Sequence, residues 1–459
     1  METQSSTLTA PVIPDDYSIQ GGHLHFHGFD LAALATYWLD HAAQDDAPLT
    51  IRYLPIIRAK LEKAREAFAQ ATRETGYAGE IRLAYASKAN PNEAVIHAAI
   101  GSGADYECSS RADASIIRYA IERGWLTAQQ RVFANGFKTS SYGDALIALA
   151  TEGFTGITPI FDAPCEIKYF ADSGVQFNVG LRFRVPGRGE RFGMSEAEMF
   201  EAAQLIANAP NLTLTTFHAL QHYPAIGNPE HLTSLRNAFE VFKRLREQHP
   251  ALAWFDVGGG IPIELSDHDD LKNYMASVQN VIVGCCQGSP VPGMIIESGR
   301  YLAGSHELKV YRVDRVKVVD GLSYYLLGGG IMSNLPDAWA LGVEFPVVAL
   351  NHLESAASGV RLAGLTCDPD DVYPSTKSGK LVTLPTQTDG LLVAFLDIGA
   401  YQDMLGGEGG AKHCLLSEGA TILIGDDPDQ PTRVTYKPAQ STDSVLHLLG
   451  YSQEHFSAF

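Results

Sequence analysis

Between about residue 49 and residue 302, helix-like and strand-like segments alternate along the chain. The first helix-like stretch, IRAKLEKAREAFAQATRET, has apolar residues at helical spacing, and the strand-like IRLAYASKAN follows it. The same order continues through AVIHAAIGSG, ADYECSS and RADASIIRYAIERG as far as GMIIESG. A β-then-α order repeated over roughly 250 residues is typical of a closed barrel, so we predict an α/β, TIM-like (β/α)8 barrel.

The alternation of helix-like and strand-like segments ends at about residue 303. Strand-like runs such as HELKVYRVDRVKVVDGLSYYLLGGG and LLVAFLDIGAYQDML, separated by turns, replace the alternation and predict a C-terminal β-domain. Near the N-terminus, GGHLHFHGFDL alternates apolar and polar residues, like a strand that joins that domain. We therefore predict a loose tail at 1–16, an N-terminal segment of the β-domain at 17–48, the barrel at 49–303 and the β-domain at 304–459.

Charge and composition narrow the classes of function. The 459 residues carry a formal net charge of −19, and such an acidic surface repels nucleic acid and anionic lipid, so we expect neither as a partner. The six cysteines show no CxxC pair and no metal-ligand spacing with histidine, which predicts no metal and, for all of them except Cys367, plain reduced thiols. The polar N-terminus and the lack of a long apolar run predict no signal peptide, no membrane span and a cytoplasmic location.

Several polar motifs stand at the predicted ends of barrel strands, where the functional residues of such barrels gather. Lys88 ends the apolar strand AYASKAN. A lysine at a barrel mouth can form a Schiff base, and it can equally extend to solvent as a plain surface residue. Gly258, Gly259 and Gly260 in WFDVGGGIPI would let backbone N–H groups approach a phosphate, although an ordinary tight turn has the same composition.

Three further motifs carry chemical groups. Glu297 and Arg300 follow an apolar strand in MIIESGRYLAG, where the carboxylate suits a protonated ring nitrogen of a cofactor and the guanidinium a phosphate or carboxylate, or the two form a loop salt bridge. His218 ends TTFHAL, where it can stack on an aromatic ring or lie satisfied in the core. Cys367 and Asp368 in GLTCDPDDVYP can form a proton-donating site or a simple Pro/Asp turn. Each motif alone leaves both interpretations open, and the order of all of them is more specific.

In this order the motifs resemble the fold-type III decarboxylases that depend on pyridoxal 5'-phosphate (PLP). The family includes ornithine, arginine and diaminopimelate decarboxylases and is related to alanine racemase. The resemblance extends from about residue 21 to residue 401, and YASKAN puts the Schiff-base lysine at Lys88. It implies an alanine-racemase-like fold, PLP as the cofactor and removal of the α-carboxylate of an amino acid. The residues that it implies for cofactor binding are Lys88, Glu107, His218, Gly258, Gly259, Gly260, Glu297, Gly299, Arg300 and Tyr401.

The resemblance also implies roles for these residues. Glu297 would keep the pyridine nitrogen protonated so that the ring can accept electrons, and His218 would cover one face of the ring. Cys367 would protonate the α-carbon from the neighbouring subunit, so the protein would be a homodimer with shared active sites. The residues implied or suggested for catalysis are Lys88, His218, Glu297 and Cys367, and those for substrate binding are Arg182, Asp337 and Asp368, with Arg191 at a further family position.

Two positions depart from the family pattern. A phosphate-contacting serine is replaced by Gln221, and a proline is replaced by Ser298 in ESGR. The C-terminal half is most similar to biosynthetic arginine decarboxylases, for example in SNLPDAWALGVEFPVVAL and GAYQDMLGG. This makes Asp337 a candidate for meeting the distal cation of a basic substrate.

The leading hypothesis is therefore a decarboxylase of a basic amino acid such as arginine, or of ornithine or lysine. Decarboxylation of diaminopimelate, a D-amino acid or a siderophore precursor is an alternative. An amino-acid racemase and a non-catalytic barrel homologue are further alternatives. Cys367 favours decarboxylation over racemisation, because racemases of this fold use a tyrosine as the opposing acid and base. Lys88, Glu297 and Cys367 together favour an enzyme over a binding protein.

Overall fold

The computed structural model describes residues 13–14, 16–41, 46–185, 191–220, 229–265, 267–407, 409–410 and 412–451. Contacts within the chain define two compact units. One unit comprises residues 56–303, and the other combines residues 1–55 with residues 304–459. Most of the predicted tail at 1–16 lies outside the described residues, as does Gln221.

The N-terminal segment supplies a small antiparallel sheet to the second of these units. Its alternating pattern puts Leu24 and Phe26 inward, and both are fully buried. The elements are β1 (Tyr17–Gln20), β2 (His23–Phe26), β3 (Phe29–Asp30), α1 (Leu31–His41) and β4 (Leu49–Tyr53).

The predicted start of the barrel at residue 49 is wrong. β4 pairs antiparallel with residues 307–310 and parallel with residues 421–424, so it is a strand of the β-unit. Its first residues are buried, as expected for a strand with neighbours on both sides. The unit that holds the barrel begins at Ile56.

The unit of residues 56–303 contains a closed barrel of eight parallel strands, which confirms the predicted fold class. Each strand pairs with the next along the chain, and the last pairs with the first. The strands are short and mostly buried, as the apolar runs in the sequence predicted. They are β5 (Ile81–Ala86), β6 (Asp105–Cys108), β7 (Val132–Ala134), β8 (Ile157–Phe161), β9 (Phe177–Arg182), β10 (Leu212–His218), β11 (Trp254–Asp256) and β12 (Gly293–Ser298).

The helices around these strands follow from apolar spacing and from caps. Ser195, for example, accepts a hydrogen bond from the backbone N–H of Glu198, whose side chain accepts one in return from Ser195. Phe239 and Phe242 pack on Phe255 of β11 with ring centroids 5.2 and 5.4 Å away. Burial stabilises each such ring by roughly 1.5–3 kcal/mol. The helices are α2 (Pro55–Thr75), α3 (Glu93–Ile100), α4 (Arg111–Glu122), α5 (Ser140–Thr151), α6 (Ile167–Asp172), α7 (Glu196–Ala207), α8 (Pro229–Gln248), α9 (His268–Cys286) and α10 (Arg300–Ala303).

The C-terminal part of the chain is organised around one long strand, β13 (Glu307–Val319), which pairs antiparallel with β4. Alternating residues of the sheet, including Tyr311, Val360, Leu362 and Phe395, meet in a fully buried core. The further elements are β14 (Leu322–Leu327), β15 (Val347–Ala349), β16 (Ala357–Ala363), β17 (Val372–Tyr373), β18 (Val382–Pro385), β19 (Leu392–Phe395), α11 (Gln402–Gly406), β20 (Thr421–Ile424), β21 (Val434–Lys437) and α12 (Thr442–Leu448).

The run LLVAFLDIGAYQDML was predicted to be strand-like throughout, and this is wrong at its end. The strand β19 stops at Phe395, and QDML forms the short helix α11. Tyr401, just before α11, has a left-handed backbone with φ of 73°. Asp397, two residues after the end of β19, has φ of 60°, so one left-handed residue follows the strand and another precedes the helix. Across the part of the chain that is described, no helix has both the length and the apolar character of a membrane span.

Candidate active site

Chemical groups gather at the carboxyl ends of five neighbouring barrel strands. Glu107 lies in β6, His218 ends β10, Asp256 ends β11 and Glu297 lies in β12. Lys88 lies in a 3-10 turn, Ser87–Ala89, directly after β5. Because all eight strands are parallel, these ends meet at the same rim of the barrel.

Lys88 presents its amine to a buried carboxylate. Its Nζ lies 2.8 Å from Oε2 of Glu107, which is fully buried, while the Lys88 side chain remains 47% exposed. A hydrogen bond also anchors the turn that carries Lys88, because Ser87 Oγ donates to the buried Asp113 at 2.7 Å. Glu107 therefore holds the amine at the barrel rim, while about half of the Lys88 side-chain surface stays exposed.

Asn135 connects two of the predicted site carboxylates. Its Nδ2 donates to Glu107 Oε1 at 3.0 Å and to Glu297 Oε1 at 2.7 Å. The residue follows β7 and is buried. The sequence analysis missed it, although a polar residue directly after the apolar strand in RVFANGF was a usable signal.

His218 lies near Glu297 and one further carboxylate, that of Asp256. Its Nδ1 is 2.9 Å from Asp256 Oδ2 and 3.7 Å from Glu297 Oε1. Burial lowers the pKa of His218 to about 4, so the imidazole is neutral at pH 7. Burial also raises the pKa of Asp256 to about 7 and raises the pKa of Glu297 above its ordinary value, with the nearby Asp256 adding to the shift at Glu297. Asp256 was missed as well, and its signal was an acid that ends the apolar strand in WFDVGGG.

The three-glycine turn is adjacent to this group. Gly258 and Gly260 have φ of 73° and 112°, conformations that favour glycine, and the Gly258 N–H donates to Asp256 Oδ1 at 2.8 Å. A Cβ on Gly259 would lie 2.6 Å from the backbone oxygen of Glu297. The turn therefore requires glycine for a close approach of backbone to backbone, which is more than an ordinary tight turn needs.

Two predicted arginines flank an aromatic ring near the end of β9. Arg182 and Arg191 have their guanidinium carbons 4.7 and 3.9 Å from the centroid of Phe192. Arg182 also forms an ion pair with Asp162 at 3.9 Å, and only 12% of each side chain is exposed. At the end of β12, Gly299 is buried and Arg300 is half-buried at the start of α10.

The remaining predicted residues belong to the other unit, and Cys367 and Asp368 lie in a loop there after β16. The loop is held by the buried Asp371, whose carboxylate accepts from the backbone of Ile331 and from the Thr366 hydroxyl at 2.8 and 2.7 Å. Asp371 therefore anchors this loop. Cys367 itself is exposed.

Asp337 is hydrogen-bonded to Gln402, the residue that follows Tyr401 in the chain. Gln402 donates to Asp337 Oδ2 at 3.0 Å, and its Oε1 accepts from the Asp337 backbone N–H at 3.2 Å. Asp337 is buried. One oxygen of the carboxylate proposed for a substrate cation is thus engaged within its own unit, and its contact with substrate stays a prediction.

A parallel barrel whose strand ends combine an amine, an imidazole and buried carboxylates beside a three-glycine turn defines a cofactor-dependent barrel enzyme. The chain belongs to the family of pyridoxal-dependent decarboxylases, whose pyridoxal binding domain model matches residues 57–304. The family resemblance and the predicted cofactor, PLP, are confirmed by this match.

Curated proteins are also similar in sequence to this chain. The biosynthetic arginine decarboxylase of Bacteroides thetaiotaomicron is 25% identical over 299 residues, 58% of this chain and 47% of that protein. The chain thus spans about half the length of such curated relatives.

Two solved structures share the fold at low sequence identity. The biosynthetic arginine decarboxylase from Campylobacter jejuni aligns at TM-score 0.78 and 18% identity, over 95% of this chain and 91% of that one. The diaminopimelate decarboxylase from M. jannaschii aligns at TM-score 0.78 and 17% identity, over 94% and 97%. At these identities the likeness establishes the fold.

The barrel residues fit PLP by their charges. Glu107, Asp256 and Glu297 bring three buried carboxylates to one ammonium, that of Lys88, and to an imidazole that burial keeps neutral. Burial raises the pKa of Asp256 and of Glu297, and a protonated pyridine nitrogen beside Glu297 would favour the charged forms of these acids. The three-glycine turn, in which Gly258 and Gly260 have positive φ, is suited to a phosphate.

Proposed function

We propose that this chain is a PLP-dependent amino-acid α-decarboxylase that acts on a basic amino acid, arginine in the first place. The observation that carries the proposal is the pairing of Lys88 with the buried Glu107 on one side of a site whose other side is Glu297. Arginine is favoured because the curated relatives named above are biosynthetic arginine decarboxylases. Polyamine biosynthesis is the corresponding metabolic role.

When bound, PLP supplies an aldehyde for amines and a ring that accepts the electrons released when CO2 leaves. Lys88 would hold the cofactor covalently, and Glu107 orients its amine. Glu297, which Asn135 and His218 position, would hold a proton on the pyridine nitrogen. Gly258, Gly259, Gly260, Gly299, Arg300 and Tyr401 would surround the phosphate.

The groups of the β-unit complete the proposal. Cys367 would give a proton to the α-carbon, and its thiol lies at the surface of this chain, where a neighbouring chain can reach it. Asp368, Asp337 and Arg182 would contact the substrate, the acids at its distal cation and Arg182 at a carboxylate. We further propose a homodimer in which Cys367 serves the neighbouring chain, and a cytoplasmic location, where the six free thiols stay reduced.

The test is a substrate panel with the PLP-loaded protein. Release of CO2 is measured from arginine, ornithine, lysine, diaminopimelate and D-amino acids, and chiral chromatography follows inversion of the unreacted substrate. We expect arginine to give the highest kcat/KM. Loss of chirality without CO2 would show a racemase, and CO2 from diaminopimelate alone would overturn the substrate assignment.

Lys88→Ala is the matched control for the cofactor. The wild-type protein should show an absorbance band from bound PLP, and borohydride should fix PLP to the Lys88 peptide in a mass spectrum. The variant should show neither and should release no CO2. A borohydride adduct on another lysine would contradict the proposed site.

A further inference from the structure

Two cysteines that are far apart in sequence have their sulfur atoms in contact. Cys367 Sγ and Cys414 Sγ are 3.5 Å apart, and the Cys367 backbone N–H points at Cys414 Sγ at 3.4 Å. Both residues are exposed free thiols. Cys108, Cys285 and Cys286 are buried, and Cys165 is exposed elsewhere, in the barrel unit.

Buried side chains anchor the two loops that carry Cys367 and Cys414. The Asp371 hydrogen bonds anchor the loop of Cys367. Next to Cys414, the buried Lys412 bonds to Glu418 at 2.9 Å and to the carbonyl oxygen of Gly407 at 3.2 Å. Cys414 also has φ of 57°, in the left-handed region that residues with a side chain rarely adopt, so its placement is imposed by the surrounding contacts.

We propose that Cys367 and Cys414 form a reversible dithiol–disulfide pair, and that closing the disulfide removes Cys367 from catalysis. The regulatory part rests on the proposed function, in which the Cys367 thiol is the proton donor. The sulfurs need to approach from 3.5 Å to about 2.05 Å, a shift that side-chain rotation supplies in exposed loops. The disulfide would make activity depend on the redox state of the surroundings.

The oxidant that the chemistry requires is a hydroperoxide. One thiolate attacks the distal peroxide oxygen, which breaks the O–O bond and gives a sulfenic acid and an alcohol, or water from hydrogen peroxide. The second thiol attacks that sulfur, the S–S bond forms, and the sulfenic oxygen leaves as water. Two thiols lose two electrons in total and the peroxide is reduced. A dithiol such as dithiothreitol reverses the change by exchange.

A metal site is the competing interpretation of the same atoms. Ligand atoms of Cys367, His413 and Cys414 all lie within 4.8 Å of one another. Zinc in structural sites takes four protein ligands, and among the described residues this group has three, all of them exposed. The contact between two sulfurs in accessible loops therefore favours the disulfide, and zinc becomes an outcome of the test.

The experiment treats the PLP-loaded wild-type protein with hydrogen peroxide, blocks the remaining thiols and digests without reduction. We expect a peptide that links Cys367 to Cys414, a loss of CO2 release of about 100-fold or more, and recovery with dithiothreitol. Cys414→Ser should keep the basal activity and show neither the cross-link nor a dithiothreitol-reversible loss. Cys165→Ser, which removes an exposed thiol elsewhere, should behave as wild type.

The outcomes separate this proposal from the proposed function. A protein that forms the cross-link but decarboxylates no substrate would refute the proposed function and leave the dithiol pair established. An active enzyme in which peroxide yields no 367–414 cross-link would overturn the pair. Equimolar zinc in the purified protein, released by a chelator and lost in Cys414→Ser, would overturn it in favour of a metal site.

Discussion

At the scale of single residues, the electrostatics of the barrel rim depend on Glu297. It accepts the 2.7 Å hydrogen bond from Asn135, and its Oε1 lies 3.7 Å from His218. Burial raises the pKa of Glu297 because the charged form loses water. A cation beside it restores the charged form, and the protonated pyridine nitrogen of PLP is the cation that the proposed function supplies.

Glu297→Gln tests this dependence with nearly unchanged shape. The amide cannot balance a protonated ring, so a hydrogen bond to a charged group worth about 1.5–3 kcal/mol is lost. We expect kcat to fall about 10- to 100-fold, measured as steady-state CO2 release at saturating PLP.

The control is Glu201→Gln, which removes the same charge from the exposed face of α7 and should leave kcat unchanged. An unchanged kcat in Glu297→Gln would contradict the role given to Glu297.

The sequence predicted Glu297 as a site residue, but it did not predict all of the residues around it. Lys88, His218 and Glu297 were predictable because each ends an apolar strand in a recognisable motif. Asn135 and Asp256 also stand at the ends of apolar strands, and that signal was usable, but it does not identify their partners, such as Glu297 for Asn135 across 162 positions. Local pattern carries no information about such partners.

At the scale of elements, buried charges connect β4, β13 and α11. Arg52 in β4 lies 2.7 Å from Glu307 in β13, and both Arg52 and Lys309 contact the carboxylate of Asp403 in α11. All four are buried. Lys309 and Arg52 outweigh the effect of burial and hold the pKa of Asp403 well below its usual range. The cluster therefore anchors α11 directly after Tyr401, a predicted phosphate contact.

Asp403→Asn should lower the free energy of unfolding by about 3–5 kcal/mol at pH 7, because two buried cations lose their shared anion. The pKa of Asp403 is lower in the folded state than the unfolded value of 3.8, so its contribution is complete above that pH and is lost as the pH falls below it. The difference between variant and wild type in urea unfolding should therefore shrink below about pH 4.

Asp429→Asn, an exposed change in the same unit, is the control and should have little effect at either pH. An equal loss of stability for Asp403→Asn at pH 3 and pH 7 would contradict the ionic account.

The element scale also shows where sequence patterns misplace a boundary. LTIRY directly precedes the first barrel helix and is strand-like, so it was assigned to the barrel. Its partners β13 and β20 follow the barrel in the chain, and only their pairing assigns β4 to the β-unit. Similarly, QDML in α11 is too short to show a helical period.

At the scale of the whole molecule, the proposed dimer determines which chain supplies each residue of an active site. In the proposal, each active site takes Lys88 from one chain and Cys367 from the other. Two inactivating changes placed on different chains of one dimer would then fall into the same site, and the second site would be intact. A site built within one chain would instead be damaged in both halves of such a dimer.

This difference predicts the result of mixing Lys88→Ala with Cys367→Ala. Random reassortment makes half of the dimers mixed, each with one intact site, so the mixture should recover about one quarter of wild-type CO2 release. A mixed dimer isolated through two different affinity tags should reach about one half, while Lys88→Ala alone gives none and Cys367→Ala alone about one hundredth. A mixed dimer that binds PLP in its Cys367→Ala chain but gains no activity would show that Lys88 and Cys367 act from the same chain, because only then does every site in it carry a defect.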